Sequence, residues 1–289
     1  MQSQQKCPQY FSCEFFPPKT EQGMEKLFAT AATLKKEMDP AFFSVTFGAG
    51  GSTRETTFNA VKQIQQNTGS EVAPHLSCMG STRQQLKDIL DNYQQQDIRR
   101  IVTLRGDIPA DNPGLHSDFK HASELVAFIR ENFGQQFHIE VAAYPEFHPQ
   151  AESARQDLLN FRNKVNAGAD SAITQYFYNT DSYFYFIDSC EKLGLDIPIV
   201  PGIMPITNFS NLARFSDMCG AEIPRWLRKK LENYGDDLDS IRDLGADFVS
   251  AMCQKLLDMG APGLHFYTLN QSEASLRIWN NLGLASARA

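Results

Sequence analysis

Tyr10-Phe11-Ser12-Cys13-Glu14-Phe15-Phe16, residues 21–38, and Phe42-Phe43-Ser44-Val45-Thr46-Phe47 together decide the fold. The two outer runs are short, apolar and rich in aromatic residues, as strands are. The middle run is longer, carries a helical spacing of apolar residues, and follows a stop at Pro17-Pro18. A helix between two buried strands is the connection that parallel strands need.

The same rhythm continues outward. Strand patterns fall at 72–78, 100–104, 137–144, 171–177, 197–202 and 264–267. Helical patterns fall at 54–66, 82–95, 118–132, 151–166, 181–193, 209–218 and 272–282. Eight β→α units in 289 residues predict an α/β fold, a (β/α)8 TIM barrel forming a single domain over 1–289. An extra helical segment, 223–259, stands before strand eight. Ser52 and Glu55 have the spacing of a capping box, and Gly48, Gly50 and Gly51 before them read as a tight turn able to hold an anion.

Composition narrows the function. Lys plus Arg is 27 against 34 Asp plus Glu, a net charge of −7, which argues against a nucleic-acid surface. The most apolar stretch, 197–206, holds three prolines and is too short to span a membrane. Residues 1–6 are polar and show no signal-peptide core. The six cysteines lack metal or CxxC spacing and read as reduced thiols of a cytoplasmic protein, most of them core. Neither common nucleotide-binding glycine motif is present.

In such a barrel, chemistry gathers at the C-terminal ends of the strands. Glu14 lies there among Phe11, Phe15 and Phe16. Burial would raise its pKa and suit a general acid, and pairing with a residue such as Arg105 is the equal alternative. Arg105-Gly106-Asp107 ends strand four, where a local ion pair is the simpler reading. His75 in its apolar strand reads as a core residue, whereas His148 sits in a βα loop. Asp157, Asn160 and Lys164 recur at i, i+3 and i+7 and share one helix face, beside an apolar stripe of Leu158, Phe161 and Val165. No metal cluster and no nucleophile triad is evident, so physics alone stops at an acidic barrel enzyme.

Seven segments then carry a resemblance. They are residues 11–18, 43–51, 73–76, 104–107, 142–149, 172–177 and 265–270, including Phe43-Ser44-Val45-Thr46-Phe47-Gly48-Ala49-Gly50-Gly51 and Ala142-Ala143-Tyr144-Pro145-Glu146-Phe147-His148-Pro149. In this order they resemble the methylenetetrahydrofolate reductase family, short bacterial type. The resemblance implies FAD at the strand ends. It also implies reduction of 5,10-methylenetetrahydrofolate to 5-methyltetrahydrofolate by NADH or NADPH in ping-pong fashion, serving methionine biosynthesis. It further implies a homo-oligomer, often a tetramer, while charge and the short apolar stretches already point to no nucleic-acid or membrane partner.

By position, Glu14 resembles the general acid that opens the folate ring. Asp107, Gln175, Phe215 and Tyr267 resemble substrate contacts, Asp107 also tuning the flavin. Thr46, Phe47, Ala49, His75, Arg105, Gly106, His121, Ala122, Tyr144, His148, Ala151, Asp157, Asn160 and Lys164 resemble cofactor contacts. Asn163, Asn211 and Gln271 depart from the family pattern, Gln271 replacing an Arg that contacts folate. The rival expectations are another flavin barrel acting on a secondary amine, like proline dehydrogenase, a Schiff-base lyase, and a non-catalytic binding barrel.

Overall fold

The computed structural model describes residues 1–47, 52–107 and 116–285, with the backbone alone at 52–54. The strands are β1 (Tyr10–Phe15), β2 (Phe42–Val45), β3 (Glu71–Ser77), β4 (Arg100–Leu104), β5 (His138–Ala143), β6 (Ser171–Thr174), β7 (Ile199–Val200), β8 (Gly202–Ile203) and β9 (Gly263–Tyr267). All pairings are parallel, in the order β7-β6-β5-β4-β3-β2-β1-β9-β8. β7 pairs with β6 and β8 with β9, so they are two halves of the seventh barrel strand, interrupted at Pro201. Proline has no N–H to give the ladder, but its carbonyl still accepts the His265 N–H at 3.0 Å. The expected (β/α)8 barrel is therefore present.

The helices are α1 (Glu21–Met38), α2 (Ser52–Thr68), α3 (Arg83–Gln95), α4 (Ala122–Phe133), α5 (Ala154–Asn166), α6 (Thr180–Lys192), α7 (Phe209–Cys219), α8 (Arg225–Tyr234), α9 (Leu238–Asp258) and α10 (Glu273–Asn281). Their starts follow local chemistry. Thr82 and Gln85 form a capping box on α3, and the side chains of Thr20, Ser153 and Asn208 cap α1, α5 and α7. Helices α4 and α5 begin a few residues later than the sequence pattern predicts, because His121 and Ser153 sit at their N-caps. The Ser52 capping box and the 48–51 turn lie outside the described side chains.

Two expectations need correction. The sixth strand ends at Thr174 rather than 177, and Gln175, Tyr176 and Phe177 turn away after it. The segment 223–259 is not simply an extra: α9 packs between α6 and α10, taking the seventh place in the helical ring. Helix α7, expected in that place, lies over the barrel mouth and contributes Phe215, Met218 and Cys219 to the cavity there.

Strand alternation sorts the side chains. Cys13, Phe15, Phe43, Val45 and Leu76 face outward, into a large core shared with Leu27, Leu34, Leu86, Ile129 and Phe161 of the helices. Cys13, Cys78, Cys190 and Cys253 are buried in it, as core cysteines should be. Phe42, Ala73, Val102 and Ile173 form a second, smaller cluster. Below it, towards the N-terminal strand ends, Glu140 is fully buried and held by Arg100, by His138 at 3.3 Å and by the Ser171 hydroxyl at 2.6 Å. Arg100 also donates to Glu71 at 2.9 Å and lies 4.5 Å from the centre of the Phe42 ring.

Candidate active site

Ring closure brings Glu14 to the upper end of the interior. Its register partners are Ser44 on β2 and Tyr267 on β9, while Ser12 lies opposite His265. The Glu14 carboxylate is 17% exposed, with Oε2 3.1 Å from His75 Nε2 and 3.5 Å from His265 Nε2. Ser44 Oγ lies 3.4 Å from the same oxygen. His265 is fixed from behind, its Nδ1 sharing a 2.7 Å hydrogen bond with the Ser12 hydroxyl. His75 Nε2 is close to Glu14 but poorly aligned, and makes no hydrogen bond.

Burial pushes the Glu14 carboxyl up, but the charge of nearby His75 and the hydrogen bond with His265 outweigh it and hold the group at about 2. The carboxyl is therefore ionised at neutral pH. The expectation of a raised pKa from apolar neighbours is corrected by those two histidines. The alternative pairing with Arg105 is corrected too. Arg105 binds Gln150 and, at 3.0 Å, the Gly106 carbonyl, and it faces a different cavity.

Glu14 and His75 line a cavity of about 330 Å³. Its floor is apolar, with Val102, Leu104, Ala142 and Ile173. Tyr144, Gln175, Tyr176, Phe215 and Tyr267 stand around it. Tyr267 is held by its hydroxyl on the Thr174 carbonyl, 2.7 Å away. Gly202 makes room for that ring, since a Cβ there would lie 2.6 Å from Tyr267 and 2.2 Å from the Thr174 carbonyl. Tyr176 docks α7 over the mouth through a 3.1 Å bond with Ser216.

Tyr144 also lines a second cavity, of about 590 Å³. Arg105, His121, Ala122, His148, Ala151, Asp157, Asn160 and Lys164 line this one. The helix face read from the sequence is thus turned into a cavity, while Phe161 packs in the core and Leu158 and Val165 pack against it. Asp157 accepts the His148 N–H at 3.0 Å. Lys164 donates to the Ala142 carbonyl, and burial lowers its pKa to about 8. One acceptor for three ammonium donors leaves donors to spare.

Of the other expected positions, Thr46, Phe47, Gly106 and Asp107 are not among the residues that line either cavity. Asp107 is 89% exposed and 3.9 Å from Arg105, a loose pair. Gly106 has a φ of +84°, and a Cβ there would lie 1.9 Å from the Ser77 hydroxyl oxygen, so the turn is built for glycine. Ala49 lies outside the described residues. His265, Met218, Cys219, Gln150 and Gln156 join the site without having been singled out. The signal for His265 was its spacing of two from Tyr267 on one strand.

Polar groups collected at the C-terminal strand ends of a closed (β/α)8 barrel mark a barrel enzyme. Comparison gives the family. The family model of methylenetetrahydrofolate reductase matches residues 1–283. The 5,10-methylenetetrahydrofolate reductases of Salmonella typhimurium and Escherichia coli are each 41% identical over 273 residues, covering 94% of this chain and 90% of theirs. Methylenetetrahydrofolate reductase (NADH) 1 of Arabidopsis thaliana is 38% identical over 286 residues, 95% of this chain and 48% of its own. The chain belongs to the methylenetetrahydrofolate reductase family. A solved structure titled as an uncharacterized protein from Clostridium thermocellum that binds two copies of 5-methyl-5,6,7,8-tetrahydrofolic acid is similar in fold. Its TM-score is 0.64 at 16% identity, over 99% of this chain and 98% of that one.

Proposed function

We propose that this protein reduces 5,10-methylenetetrahydrofolate to 5-methyltetrahydrofolate, with FAD as resident cofactor and NADH, or NADPH, as donor in a ping-pong cycle. The observation that carries the reading is Glu14, an acid between two histidines, in an apolar cavity that adjoins a cation-bearing one.

The residues present fit FAD. Lys164 and Arg105 have the charge for its diphosphate, and Asp157 and Asn160 the acceptors for its ribose. Val102, Leu104, Ala142 and Ile173 give a flat apolar seat for a ring system, with His75 at its edge. When bound, FAD supplies the hydride carrier between nicotinamide and folate. Phe215 and Tyr267 stack the flat rings that enter the mouth, Gln175 offers its amide to the pterin, and α7 excludes water above them.

Glu14 supplies the proton. Glu14 is ionised at neutral pH, so it takes up a proton before it gives one, and the ring nitrogens of His75 and His265 are the groups within reach of Oε2. Glu14 then gives it to the bridging nitrogen of the folate. The C–N bond of the five-membered ring breaks, and the methylene carbon becomes an iminium that accepts hydride. Ser12 holds His265 in the orientation this transfer needs. By the same resemblance the enzyme serves methionine biosynthesis and is a homo-oligomer, a tetramer that sedimentation would check.

The test is steady-state kinetics with methylenetetrahydrofolate varied at several fixed NADH concentrations. Parallel double-reciprocal lines with 5-methyltetrahydrofolate as product support the reading. Intersecting lines would overturn the ping-pong cycle, and absence of that product the function itself.

A further inference from the structure

Strand β1 ends where the chemistry begins. Glu14 is its last residue but one, and exposed Phe16 is the last that can give an N–H before Pro17-Pro18. A strand end of this kind frays unless it is tied on both sides. On the β2 side the Thr46 N–H reaches the Phe15 carbonyl at 2.9 Å. On the β9 side the ladder stops at the pair of Glu14 and Tyr267, and the next residues of the chain take over.

Thr268 meets the Glu14 carbonyl twice, with its N–H at 3.3 Å and its hydroxyl at 2.6 Å. Asn270 lies beside Phe16 as a neighbouring strand would. Its Oδ1 accepts the Phe16 N–H at 3.0 Å, and its Nδ2 donates to the Phe16 carbonyl at 2.8 Å. One amide side chain thus satisfies both backbone groups of Phe16. The clamp is itself braced. The Asn270 N–H donates to the Thr268 hydroxyl at 3.1 Å, and the Thr30 hydroxyl of α1 donates to the Asn270 carbonyl at 3.3 Å. Bringing Asn270 back over β1 takes a left-handed turn, with φ of +50° at Leu269 and +59° at Asn270. Asn tolerates that region, whereas a bulky Leu enters it only under constraint. The same turn sets Leu269 in the wall of the Glu14 cavity.

We propose that Thr268 and Asn270 are positioning residues for Glu14: they continue β9 past its last ladder pair and hold the end of β1, so that the acid keeps its place against its histidines and the folate. The inference rests on the proposed acid role of Glu14. Neither residue is among those that line the two cavities described above, so both act through Glu14 rather than on a ligand there. The tolerance is small. Oε2 of Glu14 stands 3.1 Å from His75 and 3.5 Å from His265, and a misplacement of about 1 Å can cost about a hundredfold in rate.

The experiment follows the two half-reactions of the FAD-loaded enzyme by anaerobic stopped-flow in Asn270→Gly, which keeps the left-handed turn, and in Thr268→Val and Thr268→Ser. Reoxidation of the reduced flavin by methylenetetrahydrofolate should slow roughly ten- to a hundredfold in Asn270→Gly and Thr268→Val. Most of the rate should return in Thr268→Ser, which keeps the hydroxyl. The loss should fall on the limiting rate, with the half-saturating folate concentration unmoved. Flavin reduction by NADH and FAD affinity should match the unmodified enzyme. Amide hydrogen exchange at Phe16 should quicken in Asn270→Gly. Both half-reactions slowing together, neither slowing, unchanged exchange at Phe16, or loss of FAD from every variant would overturn the proposal. Thr268→Ser as slow as Thr268→Val would overturn the part given to the hydroxyl. An unmodified enzyme whose reduced flavin methylenetetrahydrofolate cannot reoxidise would overturn the reading of function, and this inference with it.

Discussion

Replacing Glu14 with Gln keeps the size of the side chain and removes its charge and its acid function, so two separate losses should follow. The first is in stability. The carboxyl sits at about 2 against an ordinary 4.5, and the ionised form is favoured in the folded barrel. A depressed carboxyl stabilises the fold above pH 4.5, and that contribution is lost as pH falls towards 2. At 1.36 kcal/mol per pKa unit the ionised group contributes on the order of 3 kcal/mol at neutral pH, and the variant should lose much of it. The second loss is in rate. A general acid contributes roughly 10²–10⁴-fold, so methyltetrahydrofolate production should fall at least about a hundredfold. Flavin reduction by NADH involves no proton from Glu14 to folate, so it should persist in the same preparation. The assay is anaerobic stopped-flow of the two half-reactions, beside a urea melt at pH 7. A variant that reduces the folate at the normal rate would refute the acid role. A variant with unchanged stability would refute the charge pairing with His75 and His265.

Other outcomes follow from the same geometry. Lys164 loses its charge above about pH 8, so FAD affinity, titrated by fluorescence, should weaken between pH 7 and 9, and Lys164→Met should remove that dependence; a flat profile would count against the diphosphate contact. Glu140→Leu leaves Arg100 and His138 without their shared acceptor and should cost about 3–5 kcal/mol by denaturant unfolding, whereas a loss under about 1 kcal/mol would mean that the network is dispensable. Gly202→Ala forces Tyr267 or the Thr174 carbonyl to move and should cost about 1–3 kcal/mol while raising the folate KM; unchanged KM would separate Tyr267 from substrate binding.

The β/α rhythm was legible because its signals are local. Apolar runs, caps and proline stops mark each unit within a few residues. The helix face of Asp157, Asn160 and Lys164 was legible for the same reason, since spacing alone puts the three on one side. What could not be read depends on closure. Glu14 meets His265 only because β1 pairs with β9, and His75 only across β2. Without the ring, a burial argument pushed the Glu14 pKa in the wrong direction, and the nearest cation in the strand-end motifs, Arg105, looked like its partner. Helices α7 and α9 both have amphipathic patterns, and which one joins the ring and which one roofs the mouth is decided by packing. The pair of Arg100 and Glu140 is a product of packing in the same way, since the two residues stand on neighbouring strands and alternation within either strand says nothing of the other.

The proposed reaction needs a flavin held beside Glu14 and passing hydride to folate. The direct measurement is the visible spectrum of the purified protein loaded with FAD, recorded before and after anaerobic NADH and again after methylenetetrahydrofolate. The expected result is a flavin band that NADH bleaches and the folate restores in full. A protein that takes up no FAD, or a reduced flavin that methylenetetrahydrofolate leaves bleached, would contradict it.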